Sequence, residues 1–112
     1  IRAEQVSAPA DTYRGLSGRS SLCADCGMLF SFPNSAPRRF VMRNMEFPLD
    51  IIFINEGKII KISANLPPER ETPAVSYPSG GPADRVLEVN AGVAAENNWA
   101  VGDSVSVAGD IK

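Results

Sequence analysis

The chain has no histidine, and only two cysteines and one tryptophan in 112 residues. Each scarcity removes some chemistry. Without histidine there is no Ser-His-Asp or Cys-His nucleophilic arrangement, and zinc sites of the mixed Cys/His kind are impossible. A general base, if there is one, is a carboxylate, a lysine or a thiolate. Two cysteines cannot complete a four-thiolate metal site unless a second copy supplies the other pair. An excess of positive charge is also missing. The 11 basic and 13 acidic residues give a net charge of −2, so no nucleic-acid partner is expected. The longest apolar run, Ile51–Ile54, falls far short of the ~20 residues that cross a bilayer, so no membrane span is expected. Phosphate-cradling loops are absent. Ser79-Gly80-Gly81 has no following lysine, and Gly15-Leu16-Ser17-Gly18 lacks the spacing of a nucleophile elbow.

What is present reads as one domain spanning residues 1–112. Three dense apolar blocks lie between Gly27 and Ile54. They are separated by a proline-containing loop (Pro33–Pro37) and a polar knot (Arg43, Asn44, Glu46). Short strands are expected at Ala3–Val6, Met28–Phe32, Phe40–Asn44, Leu49–Ile54, Lys58–Ser63, Arg85–Val89 and Ser104–Ala108. Leu49–Ile54 has no polar face beyond Asp50, which predicts burial on both sides. Asn55-Glu56-Gly57 predicts a tight hairpin into Lys58–Ser63. Helices are expected at Ala8–Leu16, capped by Ser7, and at Ala91–Trp99. Prolines at 67, 68, 73, 78 and 82 predict an irregular Asn65–Pro82 loop, and a loop of that length is usually functional or mobile. The fold class is therefore mainly β (α+β by content), an antiparallel sandwich or barrel of about seven short strands with two short helices.

The blocks GLSGR (Gly15–Arg19), GMLFSF (Gly27–Phe32), FVMRNMEFPLDIIFI (Phe40–Ile54), KIIKI (Lys58–Ile62), VLEVNAG (Val86–Gly92) and VGDSV (Val101–Val105) resemble, in order, the DUF192 family of small domains of unknown function. The resemblance implies a mainly-β fold like a jelly-roll sandwich. It supplies no activity. Many relatives carry an N-terminal signal or membrane segment, which implies an extracytoplasmic protein, periplasmic or secreted. The chain departs from the family at Val41, often Trp, and at Met45, commonly Thr. Most relatives lack the two cysteines.

The candidate ligand-binding residues are Arg19, Met42, Asn44, Asp50 and Tyr77. Asp50 starts a buried strand, where an unpaired carboxylate is costly and a neighbouring arginine relieves the cost. Arg19, Arg38, Arg39 and Arg43 are the available partners, and Arg19 matches the family's GLxxR block. Two readings are open. An Asp–Arg pair with Asn44 could line a polar pocket, with Met42 in its apolar wall and Tyr77 in the loop above. Alternatively, Asp50 is a structural clamp or a cap on backbone N–H groups. Cys23-Ala24-Asp25-Cys26 is a local disulfide or inert pair, a redox dithiol, or half of an intermolecular metal site. No catalytic residue, cofactor or bound metal is assigned. The preferred function is a small binding or accessory domain for a polar ligand or protein partner. The alternatives are a thiol oxidoreductase or carboxylate-assisted hydrolase, and a purely structural interaction module.

Overall fold

The Leu49–Ile54 run decides where the core lies, because a strand without a polar face is stable only when both faces are covered. In a computed structural model, which describes residues 1–7 and 15–107, that run is the inner part of one five-stranded sheet. The strands are β1 (Arg2–Val6), β2 (Cys26–Phe40), β3 (Leu49–Asn55), β4 (Lys58–Leu66) and β5 (Tyr77–Asn90), followed by a single-turn helix α1 (Val93–Glu96). Their spatial order is β1-β2-β5-β3-β4. β1 runs parallel to β2 and every other pair is antiparallel. β3 lies between β4 and β5 and is buried from Leu49 to Ile54.

The period of two along each strand divides the core. Met28, Phe30, Ile51, Phe53 and Val86 point to one face, where Leu16, Met42, Met45 and Leu66 join them. Leu29, Ile52, Ile54 and Ile59 point to the other, where Ala94 of α1 packs with Trp99 and Val105 beside it. Phe30 and Phe53 are fully buried, each worth roughly 2–3 kcal/mol of apolar transfer.

The architecture corrects the sequence reading in several places. The sheet is mixed and open, with β1 and β4 at its two edges, so it is neither all-antiparallel nor a closed barrel. Five strands and one helix occur among the described residues, against about seven and two expected. The expected strand Phe40–Asn44 does not form: Phe40 ends β2, and the chain then turns through the polar knot. The expected Pro33–Pro37 loop lies inside β2. The expected Asn65–Pro82 loop is shorter, because β4 takes its first two residues and β5 takes Tyr77–Pro82. Ala91–Trp99 is helical only over Val93–Glu96. Of Ser104–Ala108, a single bridge from Ser104 to Lys58 is formed, and Ala108 lies outside the described residues. The expected helix Ala8–Leu16 also lies outside them up to residue 14, while Gly15–Gly18 is a turn.

The proline segments pair because they meet each other. Ala36 and Pro37 of β2 face Ala83 and Pro82 of β5, and Arg39 and Phe40 face Pro78 and Tyr77. The ladder breaks register between Ser31 and Ala36 and again between Pro37 and Arg39. Prolines donate no ladder hydrogen bond and are tolerated at such irregularities. The resulting two-stranded arm folds back over the sheet, so that the Phe40 ring stands edge-on to Phe30 at 5.2 Å and to Phe53 at 6.0 Å.

Candidate functional site

Asp50 is fully buried and meets no arginine. Its Oδ1 accepts from the Asn65 backbone N–H at 2.8 Å, and its Oδ2 accepts from Gly92 N–H at 3.1 Å and Ala94 N–H at 3.0 Å. The β3–β4 register slips between Leu49 and Ile51, and Asn65 adopts a positive φ of 56°. The slip turns the Asn65 amide away from the ladder and toward the carboxylate. Asp50 thus ties the edge strand β4 and the start of α1 to the inner strand β3.

Arg19, the expected partner, is exposed and reaches both Glu4 carboxylate oxygens at 3.1 Å. The expected Arg19–Asp50 pair is therefore not formed. Its segment does dock on the polar knot, but through the backbone and a hydroxyl: Gly18 N–H donates to the Asn44 carbonyl at 2.9 Å and Ser17 Oγ to the Arg43 carbonyl at 2.6 Å. Asn44 itself is exposed with φ 53°. Met42 is fully buried in the core. Tyr77 is half-buried against the same cluster. Burial raises its pKa, and the Glu69 carboxylate adds to the rise. The five candidates therefore do not form one constellation.

The Cys23 and Cys26 sulfurs are bonded to each other, with Cα atoms 5.1 Å apart. Asp25 lies near both sulfurs, but a disulfide leaves no thiolate to bind a metal. Cys26 opens a strand, not a helix, so no helix N-terminus is available to activate a thiol. The loop instead holds the edge strand. Arg2 N–H donates to the Asp25 carbonyl at 2.7 Å, and the Arg2 guanidinium contacts the Asp25 carboxylate at 3.1 Å. That guanidinium lowers the Asp25 pKa.

The chemically unusual residue is one that the sequence reading passed over. Glu88 of β5 lies between Met28 and Ile51 in the sheet, on the apolar face that also carries Val86. It is 4% exposed. Burial pushes its pKa up to about 8, because the ionised form is expensive away from water. Among the described residues no hydrogen bond to its carboxyl group is formed. The signal was a single acid in Val86–Val89, sharing a face with valine.

Glu88 forms part of the floor of a cleft of about 480 Å³. The proline arm makes one wall, bringing Phe32, Arg38, Arg39 and Phe40, and Arg43 and Met45 follow it. Gly15-Leu16-Ser17 makes the other. A Cβ at Gly15 would lie 3.6 Å from Glu88 Oε1, an ordinary contact, and 3.3 Å from the Phe30 ring, a tight one, and the positive φ of 51° there favours glycine. The Arg38 guanidinium lies 3.9 Å over the Phe32 ring. A larger groove of about 730 Å³ lies on the opposite face, but it is walled mainly by Leu29, Ile52, Ile54, Leu87 and Trp99 and lacks a buried ionisable group. Chemistry, not size, directs attention to the Glu88 cleft.

The profile of DUF192, described as an uncharacterised ACR family, matches residues 1–107. The chain belongs to the DUF192 family. Two crystal structures resemble this DUF192 domain closely. One is a protein of unknown function from Novosphingobium aromaticivorans DSM 12444, 36% identical, with a TM-score of 0.87 over 96% of this chain and 75% of that one. The other, from Sinorhizobium meliloti 1021 and named a candidate transcription regulator, is 33% identical, with a TM-score of 0.88 over 96% of this chain and 81% of that one. A comparison with curated proteins finds no match. No described helix is long and apolar enough to cross a membrane.

Proposed function

We propose that this DUF192 domain is a small-ligand-binding domain whose site is the cleft above Glu88. One observation carries the reading: an acid 4% exposed, with no donor to it among the described residues, lines a cavity open to solvent. A purely structural acid is normally satisfied, as Asp50 is by three backbone amides. A binding site keeps an unsatisfied group for its ligand. The cleft offers an acid and guanidinium groups but no base beside a nucleophile, and the Ser17 hydroxyl donates to the Arg43 carbonyl, so binding is favoured over catalysis.

The test compares wild type with Glu88→Met. An acid kept for a ligand costs stability, so the variant is expected to unfold at a higher temperature at neutral pH while losing small-molecule responses in the cleft. Fragment binding is read from the methyl resonances of Leu16, Val41 and Met45, with Leu29 and Ile54 reporting the opposite groove. Fragments that move only the second set, or an unchanged cleft response in Glu88→Met, would overturn the proposal.

We also propose that the domain works outside the cytoplasm, since a Cys23–Cys26 disulfide persists in oxidising compartments. Recovery of the protein from the cytosolic fraction with both thiols reduced would sink that assignment. The name of the Sinorhizobium relative does not extend to a nucleic-acid role here, because a net charge of −2 provides no basic footprint.

A further inference from the structure

If the Glu88 cleft is the binding site, its charges narrow the ligand class. Arg38 Nε donates to the Ala83 carbonyl at 3.0 Å, and its Nη2 donates to the Asn34 carbonyl and side-chain oxygens. Arg39 Nη1 donates to Ser76 Oγ at 3.1 Å. Every one of these acceptors is neutral. The ion pairs Arg2–Asp25 and Arg19–Glu4 lie elsewhere. Among the described residues, then, Arg38 and Arg39 line the cleft without an ion-pair partner, and the Arg38 guanidinium lies over the Phe32 ring. Guanidinium groups suit carboxylates better than any other side-chain cation does. The rings of Phe30, Phe32 and Phe40 supply an apolar surface for the rest of the molecule.

We infer that the ligand is an organic carboxylate on a flat apolar body, its carboxylate held by Arg38 and Arg39 and its body lying in the aromatic part of the cleft that Glu88 also lines. This rests on the cleft being the binding site. An ionised Glu88 in the same cleft would repel such a ligand, and a protonated one does not. Burial keeps Glu88 protonated up to about pH 8. The charged groups facing the cleft from the neighbouring described segments are Arg38, Arg39 and Arg43, while the Gly15–Ser17 wall and the flanking Met28 and Ile51 are neutral. Arginine holds its charge throughout, so among the described lining residues Glu88 alone titrates between pH 6 and 9.

The probes are benzoate, benzamide and benzylamine, which share a ring and differ in charge. Binding is followed by the methyl resonances of Leu16, Val41 and Met45, which stay visible at high pH. Benzoate is expected to bind at least about tenfold more tightly than benzamide at pH 6.5, and benzylamine more weakly still. Arg38→Gln with Arg39→Gln should remove the preference for benzoate. Raising the pH from 6.5 to 9 ionises most of Glu88, so benzoate should weaken in wild type and hold its affinity in Glu88→Gln. Equal or tighter binding of benzamide or benzylamine would overturn the carboxylate assignment and leave the cleft as the site. A benzoate preference that ignores pH would overturn the role given to Glu88. If none of the probes moves the cleft methyls, the cleft reading falls with it.

Discussion

Two buried acids, Asp50 and Glu88, solve the same electrostatic problem in opposite ways. Asp50 is surrounded by backbone N–H groups from residues 65, 92 and 94. Glu88 has only apolar neighbours in the sheet and stays protonated at neutral pH. The sequence flags Asp50, because a carboxylate beside an apolar run stands out. Its partners were not legible, since every residue has an amide and nothing in a side chain marks which amides will converge. Arginine was the visible alternative, and Arg19 went to Glu4 instead. Glu88 was legible as an acid on a valine face but not as buried, because that depends on the Gly15 segment closing over it. Replacing Asp50 by Asn leaves one acceptor oxygen and puts an NH₂ group against a backbone donor. Hydrogen bonds to charged groups are worth roughly 1.5–3 kcal/mol each. Asp50→Asn should therefore lose about 2–4 kcal/mol in urea denaturation without changing how cleft methyls respond to a bound fragment. An unperturbed unfolding midpoint would contradict the clamp.

At the level of elements, local signals were legible and long-range ones were not. The β3–β4 hairpin follows from Asn55-Glu56-Gly57, where Glu56 and Gly57 both take the positive φ of a tight turn, 49° and 77°. The proline arm was not legible, because each proline segment alone reads as a loop and only their mutual pairing makes a strand of either. β1 was placed within a residue, and its parallel pairing with β2 starts at the disulfide loop. That loop presents Asp25 to Arg2 at the point where β1 meets Cys26. Closing so small a ring is worth at most about 2 kcal/mol in the chain-entropy account. The double variant Cys23→Ser/Cys26→Ser should lower global stability by no more than that, while amide exchange in β1 speeds up far more than in β3. Equal acceleration in both strands would mean that the loop does not hold the edge specifically.

Over the whole molecule, Glu88 couples stability to pH. Its ordinary pKa of 4.5 applies when the chain is unfolded and about 8 when folded. Between those values the folded state holds a proton that the unfolded state has released. The contribution is thus fully present below pH 4.5, is lost as pH rises, and is gone above pH 8, a change on the order of 3–5 kcal/mol. The melting temperature of wild type should fall between pH 5 and 8.5. Glu88→Gln, which does not titrate, should follow a flatter curve and overtake wild type above pH 8. Parallel curves would show that Glu88 is not the group responsible. The strand order has a consequence for synthesis. β5 is the last of the described strands, yet it lies in the middle of the sheet between β2 and β3. β3 and β4 leave the ribosomal tunnel before β5 does and can close as a local hairpin, but until β5 follows, β2 and β3 have no common neighbour. The two halves join only when β5 emerges and slides between them, so a nascent chain whose β5 is still inside the tunnel carries a formed hairpin and exposes on its surface apolar residues that will later be the core.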